Sequence, residues 1–278
     1  MVRASTDRPG IVGRIGQFLS NSGANITALD QYSTEDTPGV FFRRTEFSLP
    51  GLPERLPELV ERFDAEVAKP VDLTFQLVEA ARRKKTAIMV SRYDHCLMDL
   101  LWRARREELD IDIEMVISNH PDLADAVAEF GIPFIHIPVT KDTKADAERQ
   151  QLDVLAGKVD LVVLARYMQI ISDDFLSAVG CPLINIHHSF LPAFIGANPY
   201  HRAKQRGVKL IGATAHYVTA DLDEGPIIDQ DVVRVTHQDD TAGLIRRGAD
   251  VERQVLTRAV QLHSEDRVAR HGNSTIIF

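Results

Sequence analysis

The sequence contains little cysteine or tryptophan and has no long hydrophobic run. Only two of its 278 residues are cysteines, Cys96 and Cys181, and one is tryptophan. Two cysteines are too few for a disulfide framework and lack metal-site spacing, so we expect two small buried thiols in a reducing compartment and no bound metal. No apolar run approaches the ~20 residues of a membrane helix, and the first residues lack the apolar stretch of a secretory signal. These absences predict a cytoplasmic protein with no membrane partner.

An excess of positive charge is also missing. The chain has 32 Lys and Arg residues against 40 Asp and Glu residues, a net charge of −8. Broad nucleic-acid binding needs a basic footprint, so we expect no nucleic-acid partner. Hydrophobic residues make up 44% and charged residues 26%, which is ordinary globular usage and argues against disorder. The length predicts about two domains.

The first 80 residues follow the order β-α-β-β-α-β, which is that of a ferredoxin-like α+β domain. We predict a first helix capped by Asp7, with Pro9 in its first turn, and a second helix over residues 53–67. A hairpin turn is expected at Thr37-Pro38-Gly39. The strands are predicted over residues 2–5, 26–32, 40–49 and 71–78.

The remainder alternates strands and helices, which predicts an α/β domain with a doubly wound, mostly parallel sheet. Leu161–Ala165 is uniformly apolar, as expected for a central strand that is covered on both faces. The basic stretch over residues 81–86 reads as a linker, which gives domains over residues 1–80 and 87–278. The other strands are predicted over residues 87–90, 111–118, 134–137, 183–186, 212–218 and 231–235, and the helices over 96–108, 122–130, 144–156 and 242–262.

The first candidate chemistry directly follows a strand. Asn185 and His187 are two residues apart, so an extended backbone points both side chains to one side. In open α/β sheets ligands bind at the carboxyl ends of the strands. An amide donor beside an imidazole suits the polarisation of a carbonyl group and the stabilisation of the oxyanion formed on attack. The alternatives are a structural Asn and His, or a metal pair of His187 and His188, which adjacent strand residues disfavour because they face opposite sides.

A second candidate segment is an acidic loop. Asp221, Asp223 and Glu224 precede a Gly-Pro pair that pins the chain. Alone, this pattern is typical of a solvated turn or a weak cation site. A carboxylate close to His187 would instead supply a general base.

Together these motifs resemble the folate-dependent formyltransferases. The resemblance rests on Asn-x-His followed by Ser-x-Leu-Pro, with Leu-Asp-x-Gly-Pro further along the chain, and it covers residues 87–278. It implies that Asn185, His187 and Asp223 are the catalytic trio. His216, on the strand before the acidic loop, would then orient Asp223, with a packed strand histidine as the alternative.

The N-terminal part resembles an ACT domain, a module that often senses amino acids. This likeness rests on the run Asp-Arg-Pro-Gly-Ile-Val at residues 7–12 and on the order of the elements. An ACT domain ahead of this catalytic domain is the arrangement of the formyltetrahydrofolate deformylase family, and residues 165–168 and 187–194 are similar to that branch. The resemblance implies an amino-acid effector, with Gly10, Asn21 and Asn25 as its contacts.

This family resemblance implies a hydrolase of a linear amide C–N bond. The substrate would be 10-formyltetrahydrofolate, with no other cofactor, and the products tetrahydrofolate and formate, which would supply purine synthesis and balance the one-carbon folates. The residues implied to bind the folate are Tyr167, Met168, Gln169, Ile170, Ile171, Thr219, Ala220, Asp221 and Leu222.

One segment separates hydrolysis from transfer to an amine. Residues 91–97 follow the first strand of the catalytic domain and contain no glycine. A glycine-rich turn lets backbone amides approach a phosphate closely, whereas Arg92, Tyr93 and His95 obstruct that approach. Water is then the expected nucleophile. A formyltransferase acting on a small amine such as glycinamide ribonucleotide, and a non-enzymatic folate or amino-acid sensor, remain the alternatives.

The N-terminal sheet predicts self-association. A four-stranded sheet with both helices on one side leaves its other face and its edges to be covered. Val40, Phe41 and Phe42 place apolar residues on both faces of one strand. We therefore expect a homodimer or homotetramer.

Overall fold

The computed structural model describes residues 2–35, 39–192 and 199–278. The chain forms two compact units. The first comprises the residues up to Arg82 together with 266–271 and 276–278, and the second comprises Arg83–Glu265 with Gly272–Thr275. None of the helices in the described part of the chain has both the length and the hydropathy of a membrane span.

The first unit is a four-stranded antiparallel sheet with the predicted β-α-β-β-α-β order. The strands lie in the order β2-β3-β1-β4, and each neighbouring pair is antiparallel. Its elements are β1 (Val2–Thr6), α1 (Ile11–Asn21), β2 (Asn25–Ser33), β3 (Val40–Ser48), α2 (Leu52–Phe63), a π-helical turn (Asp64–Ala68), a 3-10 turn (Lys69–Val71) and β4 (Thr74–Phe75).

One face of α1 forms much of this unit's core. Ile11, Ile15, Phe18 and Leu19 are buried, as their helical spacing predicts. Phe41 belongs to the same core. Phe42 is fully buried and packs edge-on against His271, so Phe41 and Phe42 are already covered within the chain and leave no apolar surface for a partner.

The start of α1 differs from the prediction. Gly10 is the N-cap residue at φ 96°, and no side chain caps the helix, so the predicted roles of Asp7 and Pro9 are wrong. A left-handed backbone at this position favours glycine, which has no Cβ. The last strand is also shorter than predicted: it spans Thr74–Phe75, and Val71 belongs to the helical turn Lys69–Val71. The predicted hairpin turn at Thr37 and Pro38 lies outside the described residues.

The second unit is built on a seven-stranded sheet in the order β11-β10-β9-β8-β5-β6-β7. β5 to β9 are parallel to one another, whereas β10 is antiparallel to both β9 and β11. Its elements are β5 (Lys84–Val90), α3 (His95–Arg105), β6 (Ile111–Ser118), α4 (Ala124–Ala128), β7 (Phe134–His136), α5 (Lys144–Leu155), β8 (Leu161–Ala165), α6 (Asp173–Val179), β9 (Leu183–His187), α7 (Pro199–Arg206), β10 (Leu210–Tyr217), β11 (Ile227–Arg234) and α8 (Thr241–Ser264).

The centre of this sheet matches the prediction. β8 is the fourth of the seven strands and is buried along its whole length. The strand order reverses between β5 and β8, because β6 and β7 extend to one side and β9 to the other. Ligands of doubly wound sheets bind at such a reversal, beyond the carboxyl ends of the strands. The expected site therefore lies where β5, β8 and β9 end.

Several elements were not predicted from the sequence. They are α6, α7 and a C-terminal hairpin of β12 (Val268–His271) and β13 (Ser274–Ile277). The expected linker over residues 81–86 is replaced in part by β5, which begins at Lys84. Residues 266–271 and 276–278, expected in the catalytic domain, belong to the first unit.

Both cysteines are free thiols. Burial raises the pKa of Cys96 well above its ordinary value, and it raises the pKa of Cys181 to about 11. Cys96 is buried as predicted, whereas Cys181 is only half-buried.

Candidate active site

A cavity of about 570 Å³ lies at the carboxyl ends of β5, β8 and β9. Side chains from the loops after these strands, from the end of β10 and from the first half of α8 line it. The cavity contains Asn185, His187, His216 and Asp223, so the structure brings together the residues predicted for chemistry.

The contact between His187 and Asp223 forms the centre of the site. His187 is the last residue of β9, and its Nδ1 lies 3.1 Å from Oδ2 of Asp223. Both side chains are largely buried, with 8% and 16% of their surfaces exposed. Nε2 of His187 is buried and has no hydrogen-bond partner among the described residues. This nitrogen is therefore available to a substrate in the cavity.

His216 fixes the other side of the trio. It lies opposite Asn185 in the antiparallel pairing of β9 with β10, and its Nε2 is 3.2 Å from Nδ2 of Asn185. The same Nε2 lies 3.6 Å from Oδ1 of Asp223, and Nδ1 lies 3.0 Å from the Tyr217 carbonyl oxygen. His216 is 2% exposed. These contacts are those of a residue that positions Asn185 and Asp223.

The loop that carries Asp223 has a fixed path. Asp223 adopts a left-handed backbone with φ 58°. The Tyr217 amide donates to the Pro226 carbonyl at 2.9 Å, which ties the loop's end to β10. Gly225 is packed so tightly against this strand that a Cβ would lie 1.8 Å from the Tyr217 carbonyl oxygen. The Gly-Pro pair therefore pins the loop, as the sequence predicted.

The surroundings of Asp223 keep its carboxyl group ionised. Burial alone would raise its pKa, but hydrogen bonds from His187 and His216 outweigh burial and hold the pKa well below its usual range. An ionised carboxylate can accept a proton from water and can also stabilise a charged His187 imidazole.

The predicted folate-binding residues fall into two groups. Met168, Ile170 and Leu222 line the cavity and have more than half of their surfaces exposed to it or to solvent, at 52%, 60% and 59%. Tyr167 also lines the cavity but is buried, and its hydroxyl accepts a hydrogen bond from Gln151. The cavity is also lined by the predicted residues Gln169, Ile171, Thr219 and Ala220. Asp221 is exposed and does not line the cavity. Positions 193 and 194 of the resemblance lie outside the described residues.

The proposed effector contacts are dispersed over the first unit. Gly10 precedes α1, Asn21 ends it and Asn25 begins β2, and all three are exposed. Asn21 accepts a hydrogen bond from Gln17. Their role in binding an amino acid stays a prediction.

A second polar cluster in the cavity was missed. Glu252 of α8 is buried; its Oε2 lies 2.8 Å from Nε2 of His95, and its Oε1 accepts from the Tyr200 hydroxyl at 2.5 Å. Nε of Arg166 lies 3.5 Å from the same Oε2, and the Arg166 guanidinium lies 4.9 Å from the centre of the Tyr93 ring. The available signal was a charged residue directly after the apolar strand β8.

His188 gives the site a pH-dependent contribution to stability. Burial, and then the positive charge of Arg166, lowers the pKa of His188 from 6.5 to about 4. The unfolded chain therefore takes up a proton before the folded protein does, so stability decreases as the pH falls from 6.5 to 4. We expect His188 to contribute about 2–3 kcal/mol to this decrease. Urea denaturation across the interval should show a smaller decrease for His188→Gln; an equal decrease in the variant would contradict the assignment.

Family models match both units of the chain. A model described as formyl transferase matches residues 84–260, and a model described as ACT domain matches residues 1–67. The chain is 60% identical over 272 residues to a formyltetrahydrofolate deformylase of Mycobacterium bovis. The aligned residues cover 98% of this chain and 88% of that protein. The sequence likeness thus extends across both units.

Solved structures give the same picture. The crystal structure of a formyltetrahydrofolate deformylase from Pseudomonas syringae is 44% identical, with a TM-score of 0.94, and covers 100% of this chain and 93% of that one. The crystal structure of a glycinamide ribonucleotide transformylase from Symbiobacterium toebii is more distant. It is 28% identical, with a TM-score of 0.67, and covers 73% of this chain and 98% of that one.

Proposed function

This chain belongs to the formyltetrahydrofolate deformylase family, and we propose on that premise that it hydrolyses 10-formyltetrahydrofolate to tetrahydrofolate and formate. The enzyme is then a hydrolase of a linear amide C–N bond. The observation that carries the proposal is the buried contact of His187 with Asp223 beside Asn185, inside a cavity, in a chain that resembles deformylases along nearly its whole length. The reaction needs no cofactor beyond the folate.

The first step is the attack of water on the formyl carbon. Asp223 accepts a proton from the water as the new C–O bond forms, and the carbonyl π electrons move onto the oxygen. Asn185 and Nε2 of His187 donate to that oxyanion, and the contact of Nδ1 with Asp223 holds the His187 ring in place. His216 contacts both Asn185 and Asp223 and so holds these two side chains in position.

The second step is the collapse of the tetrahedral intermediate. The C–N bond breaks, its electron pair passes to the folate nitrogen, and that nitrogen takes the proton that Asp223 accepted. The low pKa of Asp223 favours the return of this proton. One water and one formamide are consumed, and one amine and one formic acid, which ionises to formate, are produced.

The loop after β5 supports water as the nucleophile. Tyr93 lies against Arg166, and His95 pairs with Glu252, so side chains occupy the region in which a glycine-rich turn would hold a phosphate. The glycinamide ribonucleotide transformylase in the comparison is only a distant relative.

The proposed function is tested by the balance of formate. The full chain is incubated with 10-formyltetrahydrofolate, with and without glycinamide ribonucleotide. We expect about one formate per tetrahydrofolate in both reactions, because no amine acceptor is needed. Negligible free formate, with accumulation of formylated nucleotide, would replace the hydrolase with a transferase.

The wider role follows from the products. We propose that the released formate supplies purine synthesis and that the reaction balances the one-carbon folates in the cytoplasm. The ACT domain supports regulation by an amino acid, with Gly10, Asn21 and Asn25 as candidate contacts.

We also propose that the chain forms a homodimer or homotetramer through its first unit. β2 is an edge strand, and it exposes Ile26, Leu29 and Tyr32. Edge strands with apolar residues are readily covered by a partner. In sedimentation of the full chain, Leu29→Lys should shift the protein towards monomer, whereas Val78→Lys, at another exposed apolar residue of this unit, should not. A wild-type monomer would disprove the proposal.

A further inference from the structure

Arg166 has buried hydrogen-bond donors that the described part of the chain does not satisfy. The residue is 7% exposed, and its Nε and Nη1 are buried without a hydrogen-bond partner among the described residues. A buried donor without an acceptor is unfavourable, because it has lost its hydrogen bonds to water. The backbone of Arg166 is also left-handed, with φ 62°. A buried guanidinium with free donors, in a cavity, indicates a ligand with acceptor oxygens.

The nearest carboxylate does not use these donors. Glu252 already takes contacts from His95 and Tyr200, at 2.8 Å and 2.5 Å. Its Oε2 lies 3.5 Å from Nε of Arg166, which makes an ion pair without a hydrogen bond. Glu252 therefore balances the charge of Arg166 but leaves the Nε and Nη1 donors without an acceptor.

The position of Arg166 places it beside the reaction centre. Leu164 of β8 pairs with Asn185 of β9, and Arg166 directly follows the end of β8, while His187 is the last residue of β9. The ring of His188 lies 5.3 Å from that of His187, and the charge of Arg166 reaches His188 and helps to keep it neutral. Both Arg166 and His187 line the cavity at the strand-order reversal.

The charge of the cluster selects the class of ligand. The N–H groups of a guanidinium donate charge-assisted hydrogen bonds to carboxylate oxygens. The buried Glu252 carboxylate alongside would repel a dianion such as a phosphate monoester more strongly than a monoanion. A small monocarboxylate is therefore the ligand that fits.

We propose that Arg166 forms a product subsite that binds formate next to His187. This inference rests on the proposed function, because formate is the product of that reaction. The subsite would receive the carboxylate after the C–N bond breaks and hold it away from Asp223, whose negative charge repels it.

The test measures the binding of ¹³C-formate to the full chain by NMR line broadening. Chloride at equal ionic strength is the reference anion, and its binding is measured by its competition with formate. We expect wild-type protein to bind formate in preference to chloride and Arg166→Gln to weaken binding at least tenfold. Arg258→Gln, which removes an arginine that pairs with Asp229 and Asp231, should leave it unchanged. Formate binding no stronger than that of chloride, or unchanged in Arg166→Gln, would overturn the proposal.

A second variant decides the matter if Arg166→Gln does not fold. Glu252→Gln keeps Arg166 and removes its counter-charge, so formate should bind at least threefold more tightly; equal or weaker binding counts against the subsite.

Carboxylates of the folate's glutamate tail are the other source of this chemistry. If Arg166→Gln raised KM for the folate while formate bound as before, Arg166 would serve the tail and the formate subsite would be wrong. The formate-release assay tests the proposed function separately.

Discussion

Asp223→Asn is expected to lower kcat by about 10³-fold while the protein stays folded and binds folate nearly as before. The amide has almost the same shape as the carboxylate, but it cannot accept the proton of the attacking water. It also removes the negative charge 3.1 Å from Nδ1 of His187 and so weakens the contact that holds the His187 ring. The measurement is steady-state formate release, with a thermal melt to establish folding.

Asp221→Asn is the matched control for this variant. Asp221 lies two residues away on the same loop, but it is exposed and does not line the cavity. Its kcat should stay close to the wild-type value. Near-normal turnover in Asp223→Asn would exclude the carboxylate as the base, and an equal loss in both variants would point to the loop rather than to the carboxylate.

Gly225→Ala is expected to destabilise the protein by about 3 kcal/mol or more and to abolish most activity. The added Cβ would lie 1.8 Å from the Tyr217 carbonyl oxygen and 2.9 Å from its carbonyl carbon. Both atoms belong to the backbone of β10, so relief requires the strand and loop to separate and Asp223 to move away from His187. Urea denaturation and formate release measure the two effects.

Gly13→Ala provides the control for adding a methyl group. Gly13 lies in α1, and among the described residues no atom outside its neighbouring residues and the surrounding helix backbone lies within 4 Å of an added Cβ. Because alanine favours a helix, this variant should be as stable as the wild type or more so. If Gly225→Ala had wild-type stability and turnover, the tight packing of the loop would have no bearing on the site.

The trio was predictable because its signals are local. Asn185 and His187 share a strand face by spacing alone, and the Gly-Pro pair after Asp223 marks a fixed loop. The apolar run Leu161–Ala165 likewise identified the central strand to the residue. Their assembly into one site followed from the rule that ligands bind where parallel strands end.

What the sequence did not predict depends on long-range contacts. Arg166 and Glu252 lie far apart in the chain, and only the packing of α8 against the sheet's end brings their side chains together. The N-cap of α1 was misassigned because Asp7 is a good capping residue, while the chain at Gly10 adopts a backbone that favours glycine. Phe42 was predicted to be covered by a second subunit, because its actual neighbour, His271, comes from the other end of the sequence.

The left-handed backbone of Asp223 limits which residues this position can tolerate. Glycine, asparagine and aspartate adopt that conformation most readily, and aspartate alone among these three carries a negative charge. Glutamate would retain the charge but would add both strain and length. The identity of residue 223 is thus favoured twice, by the chemistry of proton acceptance and by the shape of the main chain, and aspartate is the carboxylate that meets both with the least strain.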